Sequence, residues 1–325
     1  MAATPEIRRA GSALRLGYLM VALSATFAAG NGVFARLVID AGVAPADLAA
    51  TRIYGAAPIL ILAFLPHARK LRRADLIPIA LFGAFGLVLG PGTHFQAIAQ
   101  LNIALVLVII FTAPLVVAAY QRIRHGETLP RYAYAAMGVA VLGVAFAILG
   151  SGDGIGVLSL GGLAFALLAM ISYAVSVILA VRLPTALPPL ARTGACMTVA
   201  ALIWFVFVPP WTLPFELLGD TTKFDGHFGF SVPVWSAVLF VVLIGSVGVY
   251  VCWVGGTSRI GAGASSVVGM TEPVLGGLIA WALLGQTLAP MQSLGIAITV
   301  AGIVVVEHAR IRSADHGIRD VPVDL

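Results

Sequence analysis

The sequence predicts an all-α integral membrane protein of ten transmembrane helices, arranged as two inverted five-helix repeats. Three observations predict it. Of the 325 residues, 60% are hydrophobic and only 10% are charged, against about 25% charged in a soluble domain. The apolar residues come in continuous runs, as spanning helices require, and not in the alternation of barrel strands. Between Asp75 and Arg122 there is no Lys, Arg, Asp or Glu. Finally, the chain repeats itself. Shifted by 159 positions, Thr271 falls on Thr112, Pro273 on Pro114, Gly285 on Gly126, Thr287-Leu288 on Thr128-Leu129 and Gly302 on Gly143, without a gap. The register reaches back to Gly245 on Gly86 and Val247 on Val88, and a fixed period of this kind decides the architecture.

A bilayer core of about 30 Å takes about 20 apolar residues as a helix. Ten segments qualify, near 16–38, 46–65, 76–98, 103–121, 132–149, 158–181, 190–208, 234–253, 262–284 and 291–306. The first follows Arg8, Arg9 and Arg15 and ends in Ala28-Ala29-Gly30, a pattern that also fits a secretory signal. Cleavage there would leave unequal halves, so it is read as a retained span. Most connections are short. The exception, 209–233, is polar and aromatic and is expected at the membrane surface. Gly-rich Leu149–Gly156 joins the two halves and lacks the strand-to-helix context of a nucleotide loop.

Basic residues set the orientation. With both termini cytoplasmic, sixteen of the 19 Lys and Arg lie inside, leaving Arg36, Arg52 and Lys223 outside. Five spans per half is an odd number, so the second copy enters the membrane inverted. The charges agree: Arg122, Arg124 and Arg131 around the first copy's turn become Trp281, Leu283 and Pro290 in the second. Inverted repeats typify secondary transporters, which bind substrate near the midplane between the repeats.

These features resemble the drug/metabolite transporter superfamily, specifically its EamA-type ten-span members. The resemblance rests on the paired halves, on Arg52 opening the second span in PADLAATRIYGAAPIL, and on the endings AP…GETL and EPV…GQTL. It covers about residues 16–307. The second copy departs from the usual Gly-Glu pair at Gln286, whereas Glu127 keeps it in the first, so a symmetric ionic role for the two positions is not implied. The resemblance implies a first EamA-like repeat over residues 1–150, a second over 151–310, a cytoplasmic tail over 311–325, and a central cavity lined by spans 1, 3, 4, 6, 8 and 9. It further implies an exporter of small metabolites, such as amino acids, nucleobase-like compounds or toxic organics, across the cytoplasmic (inner) membrane; the inverted repeats add alternating access, with proton coupling one of the options. A passive facilitator for the same molecules is the alternative.

Glu272 stands out among candidate residues, as the only charge between Arg259 and Glu307. A carboxylate at the bilayer centre costs roughly 2.5–3.5 kcal/mol on insertion scales, so it is expected to face a cavity or a partner. It is read as a coupling or substrate-ammonium site, against a protonated carboxyl that only bonds a neighbouring helix. His94 and Gln96, after Gly90-Pro91-Gly92, are read as cavity lining or as satisfied packing residues. Asn31 offers an amide between Gly30 and Gly32, in a setting that equally fits close helix packing. Tyr173 and Trp253 are candidate aromatic walls, with interface anchoring the alternative for Trp253. Pro114 and Pro273 each remove a helical hydrogen bond and are read as hinges or static kinks. Arg36 and Arg52 are expected to snorkel to headgroups, while the resemblance implies a structural role at Arg52 and no substrate contact is expected there.

No catalytic residue, cofactor or metal site is expected, because HExxH, GxSxG and Walker patterns are absent and no pair of buried carboxylates is available. Cys196 and Cys252 sit in apolar spans and read as packing thiols. The expected partners are a small organic substrate, the lipid bilayer and protons. The net charge of +5 is accounted for by loop cations, which excludes nucleic acid. Monomer and homodimer remain open.

Overall fold

The computed structural model describes residues 5–125, 130–149, 159–180, 182–184, 186–269 and 271–319. It is predominantly helical. In chain order come α1 (Pro5–Asp40), α2 (Pro45–Phe64), α3 (Leu76–Phe82), a π-helical segment Gly83–Leu89, α4 (Gly90–Gln100), α5 (Ile103–Ile110), α6 (Ala113–His125), α7 (Arg131–Leu149) and α8 (Leu160–Ala180). Then follow α9 (Pro189–Phe207), β1 (Thr221–Lys223), β2 (Ser231–Pro233), α10 (Val234–Leu239), a second π-helical segment Phe240–Gly248, α11 (Val249–Gly269), α12 (Glu272–Leu284) and α13 (Pro290–Arg319).

Seven helical stretches are long and apolar enough to cross a membrane: Ser12–Asp40, Pro45–Lys70, Arg73–Gln100, Ile103–Arg124, Leu160–Ala180, Pro189–Phe207 and Val234–Thr257. Three shorter apolar helices, Arg131–Ala147, Val274–Leu284 and Pro290–Val306, fall where the remaining spans are expected. The turn at residues 126–129, the join at 150–158 and the tail after Arg319 lie outside the described residues.

Helical structure runs from span 8 through Gly269. A Cβ placed on Gly269 would lie 3.3 Å from the Trp253 ring, whereas sixteen residues of straight helix span about 24 Å. The chain therefore turns back between these two residues, where the connection between spans 8 and 9 is expected. In the first half the corresponding reversal is a true break at Leu101-Asn102, and the Asn102 side chain caps α5 by accepting from Ala104 N–H (2.9 Å).

The spans touch in a pattern that survives exchange of the two halves. α1 packs on α11 and α12, and α8 packs correspondingly on α4, α5 and α6; α2 packs on α9, and α7 on α13. Individual contacts follow the exchange too. A Cβ on Gly17 would meet Ile260 at 2.6 Å and Arg259 at 2.8 Å, and one on Gly162 would meet Leu101 at 2.7 Å and Gln100 at 3.0 Å. Ile260 and Arg259 are Leu101 and Gln100 moved by 159, while the two glycines, on the first span of each half, are 145 apart. Along the antiparallel α7–α13 seam, Gly143 abuts the Gly295 carbonyl, and Gly302 abuts the Ala136 carbonyl. Ala136 and Gly295 are again 159 apart, as are Gly143 and Gly302. The Thr299 hydroxyl donates to the Ala140 carbonyl (3.3 Å), and Ala140 plus 159 is Thr299. That contact is its own image.

Segment 209–233 is a cover over one end of the bundle. Antiparallel β1–β2 projects Phe224, 1% exposed, edge-on to Phe34 of α1 (5.6 Å between centroids). Thr222 donates to the Leu37 carbonyl (3.2 Å). Gly226 and His227 N–H donate to the Leu283 and Ala282 carbonyls at the end of α12 (2.9 and 3.0 Å), satisfying acceptors that a helix end leaves free. At the same end α12 closes on Gly285 in the left-handed conformation (φ +66°). Gln286 then reaches across, its Oε1 accepting from Ile103 N–H (3.3 Å) at the start of α5. Gly276 and Gly277 let α12 close onto Leu107 and Ala104. This end of the bundle, marked by Gly42 and Gln286, is thus closed between the halves.

Candidate functional site

The two π-helical segments are the feature the sequence reading missed. Gly83–Leu89 moved by 159 is 242–248, inside Phe240–Gly248. Each repeat therefore widens the same stretch of its third span, and π-bulges of this kind gather at functional sites. A widened turn strands carbonyls and re-aims side chains. In the first half Ser172 of α8 donates to the Phe85 carbonyl (2.6 Å). In the second, the Ser246 hydroxyl donates to the Val241 carbonyl five residues back (2.9 Å), which leaves its oxygen facing α2.

Arg52 meets that oxygen. Its Nε donates to Ser246 Oγ at 2.6 Å. The side chain is 8% exposed, so the snorkelling expectation is wrong. The reason lies in the stripe around it: Leu48, Ala49, Ile53, Ala56, Ala57 and Leu60 are all buried on α2, with small residues that bring neighbouring helices close. An arginine at the centre of such a stripe is carried inward, and this i, i+4 spacing was the available signal. Arg36 is the more exposed of the two, paired with Asp40 (2.8 Å) and donating to the Ile98 carbonyl (2.7 Å).

Ser246, Tyr250 and Trp253 stand at i, i+4 and i+7, hence on one face of the span. The face leads from Arg52 to the Trp253–Gly269 contact, three residues before Glu272. His94 is the image of Trp253 under the 159 shift, so two expected site residues occupy equivalent places in the two repeats. Both are partly buried. His94 lies with its ring centroid 5.7 Å from that of Phe95.

Glu272 is the first residue of α12 and is partly buried. Among the described residues it makes no hydrogen bond or ion pair. Its frame is shared: Thr112 and Thr271 donate to the Ile109 and Val268 carbonyls (2.7 and 2.8 Å), closing the turn before each proline. Pro114 and Pro273 are thus second residues of α6 and α12, first-turn positions that proline favours. Spans 4 and 9 are broken there rather than kinked.

The other expected residues are more dispersed. Asn31 is 8% exposed, its Oδ1 unpartnered, pressed against Gly245 beside Ser246. It belongs to the Arg52 cluster. Gln96 is partly buried, and its carbonyl accepts from Gln100 Nε2 (3.2 Å). Tyr173 is 42% exposed on α8, tilted toward Phe111 at 6.5 Å between centroids. Cys196 and Cys252 are free thiols. Among the described residues no cluster of His, Cys, Asp or Glu could hold a metal ion. A cleft of about 420 Å³ opens at the closed end, lined by Arg36, Asp40, Lys223, Asp225 and Gln286 among others.

The model of the EamA-like transporter family matches residues 15–149 and again 160–307. No curated protein matches. A solved structure described only as the crystal structure of a protein is 20% identical, and the match covers 92% of this chain and 99% of that one at a TM-score of 0.53. At this identity the likeness concerns the fold alone.

Proposed function

Because the chain belongs to the EamA-like transporter family, whose members are membrane transporters, we propose that it exports small organic metabolites across the cytoplasmic membrane by alternating access. In this reading ten spans cross the bilayer as two inverted repeats of residues 1–150 and 151–310, with both termini inside. Support comes chiefly from the self-imaged contact between Ala140 and Thr299. A two-fold axis perpendicular to two such helices, lying in the membrane plane, would produce antiparallel helices that exchange their contacts, which supports the inverted arrangement. The closed Gly42 end corresponds to the outside in this orientation. Glu272, on the broken ninth span and without a partner among the described residues, carries the proton or a substrate ammonium group.

The test is uptake into inverted membrane vesicles of compounds first identified by a metabolite and toxin panel on cells with and without the protein. Accumulation above the bath concentration, driven by an imposed pH gradient, is the expected result. Accumulation that stops at equal concentrations would make the protein a passive facilitator. A reporter fused after Leu325 and found outside the cytoplasm would overturn the inverted arrangement.

A further inference from the structure

We propose that Arg52 is the anchor for a single carboxylate on the transported molecule. The inference rests on the transporter reading and names its cargo class. A guanidinium offers five donors and stays charged. Arg52 gives Nε to Ser246, a neutral partner. Among the described residues the only ion pair is Arg36–Asp40, so nothing described neutralises Arg52 although it is 8% exposed. An uncompensated buried charge is unfavourable, and a bound anion removes that cost.

The surroundings specify the anion. The carboxyl nearest in role, Glu272, makes no ion pair with Arg52. The guanidinium's hydrogen-bond partner Ser246 is neutral, and next to it Asn31, its Oδ1 orphaned, packs against Gly245. One cation with neutral neighbours balances one negative charge, and the planar guanidinium fork matches a carboxylate in two parallel hydrogen bonds. A phosphoryl dianion would need a second cation. Asn31 Oδ1, an acceptor without a donor, suits an N–H or O–H borne next to that carboxylate. Arg52 comes from the first repeat and Ser246 from the second, so the anchor spans both halves, and cargo bound there senses their relative position.

The experiment measures thermal unfolding of the purified full chain in detergent with acetate, benzoate, alanine and phenylalanine. Each is compared with its methyl ester or amide, and all with chloride and inorganic phosphate at equal ionic strength. At least one acid is expected to raise Tm where its ester or amide does not. Arg52→Gln is expected to weaken the acid's half-saturation about 10- to 100-fold, the range for a charge-assisted hydrogen bond. Should Arg52→Gln not fold, Ser246→Ala, which frees the Arg52 Nε, is expected to shift the same half-saturation, and the wild-type comparison stands without any variant. The proposal is overturned if acids and their neutral derivatives act alike, if phosphate stabilises as much as the acids, or if the acid shift survives Arg52→Gln. Vesicle uptake of neutral compounds alongside such a result would leave the transporter reading standing and remove only the carboxylate anchor.

Discussion

Gln286 Oε1 accepts from the N–H of Ile103, 183 residues earlier in the chain, at 3.3 Å. The bond ties the end of α12 in one repeat to the start of α5 in the other. It also satisfies one of the donors that a helix N-terminus leaves free. Gln286 is the position where the second repeat departs from the Gly-Glu pair kept by the first.

Gln286→Leu removes this acceptor at a cost of about 1 kcal/mol and loosens the Gly42 end. A cysteine introduced for Leu107, beneath Gly276, should then react several-fold faster with a membrane-impermeant maleimide applied outside. Gln286→Glu places a negative charge at a helix N-terminus, which the helix dipole favours, and should slow that reaction below the wild-type rate. Equal rates in all three proteins would show that the bond does not hold this end shut.

The α7–α13 seam should not accept a side chain. A Cβ on Gly143 would lie 2.6 Å from the Thr299 amide nitrogen and 2.8 Å from the Gly295 carbonyl oxygen, contacts that backbone cannot yield cheaply. Gly143→Leu is expected to destabilise by at least the 1–3 kcal/mol or so typical of overpacking, read as a lower detergent Tm. Gly138, five residues earlier on the same helix with nothing within 4 Å of its Cβ position, should accept Ala with Tm unchanged.

Gly226 is the docking point of the cover. A Cβ there would collide with the Ala282 and Leu283 carbonyls, so Gly226→Ala should lift β1–β2 from the bundle. The exposed Lys223 then becomes a faster trypsin site, measured by gel as the rate of appearance of the fragments 1–223 and 224–325. An unchanged cleavage rate would mean that Phe224, packed between Phe34 and Phe230, holds the cover alone.

Glu272→Gln keeps the size of the side chain and removes its proton exchange. Uphill uptake driven by a pH gradient should be lost, while exchange of labelled for unlabelled substrate continues at a comparable rate. Loss of both would assign Glu272 to substrate binding, and retention of both would leave it a packing residue.

The apolar runs, the 159-residue register and the Thr-x-Pro frame were all legible in the sequence, because each rests on periodicity that the bilayer enforces. The π segments were not legible. Their residues, GAFGLVL and FVVLIGSVG, are ordinary span composition, and nothing in them marks a five-residue hydrogen bond. Arg52 was misplaced because charge counting gives depth along a span but not the face a residue occupies. His94 and Trp253 were each singled out on local grounds. Their equivalence appeared only when the shift was carried through the helices as folded.

The contact between Ala140 and Thr299 has a mechanical meaning. When two equivalent halves trade conformations, every pair of residues trades places with its image, and the gap between image pairs changes. A pair that is its own image has nothing to trade with, so its separation is the same before and after. Under the proposed alternating access, the Thr299 hydroxyl bonded to the Ala140 carbonyl would then mark a fulcrum, the spot on the α7–α13 seam about which the rest of the molecule tilts without parting.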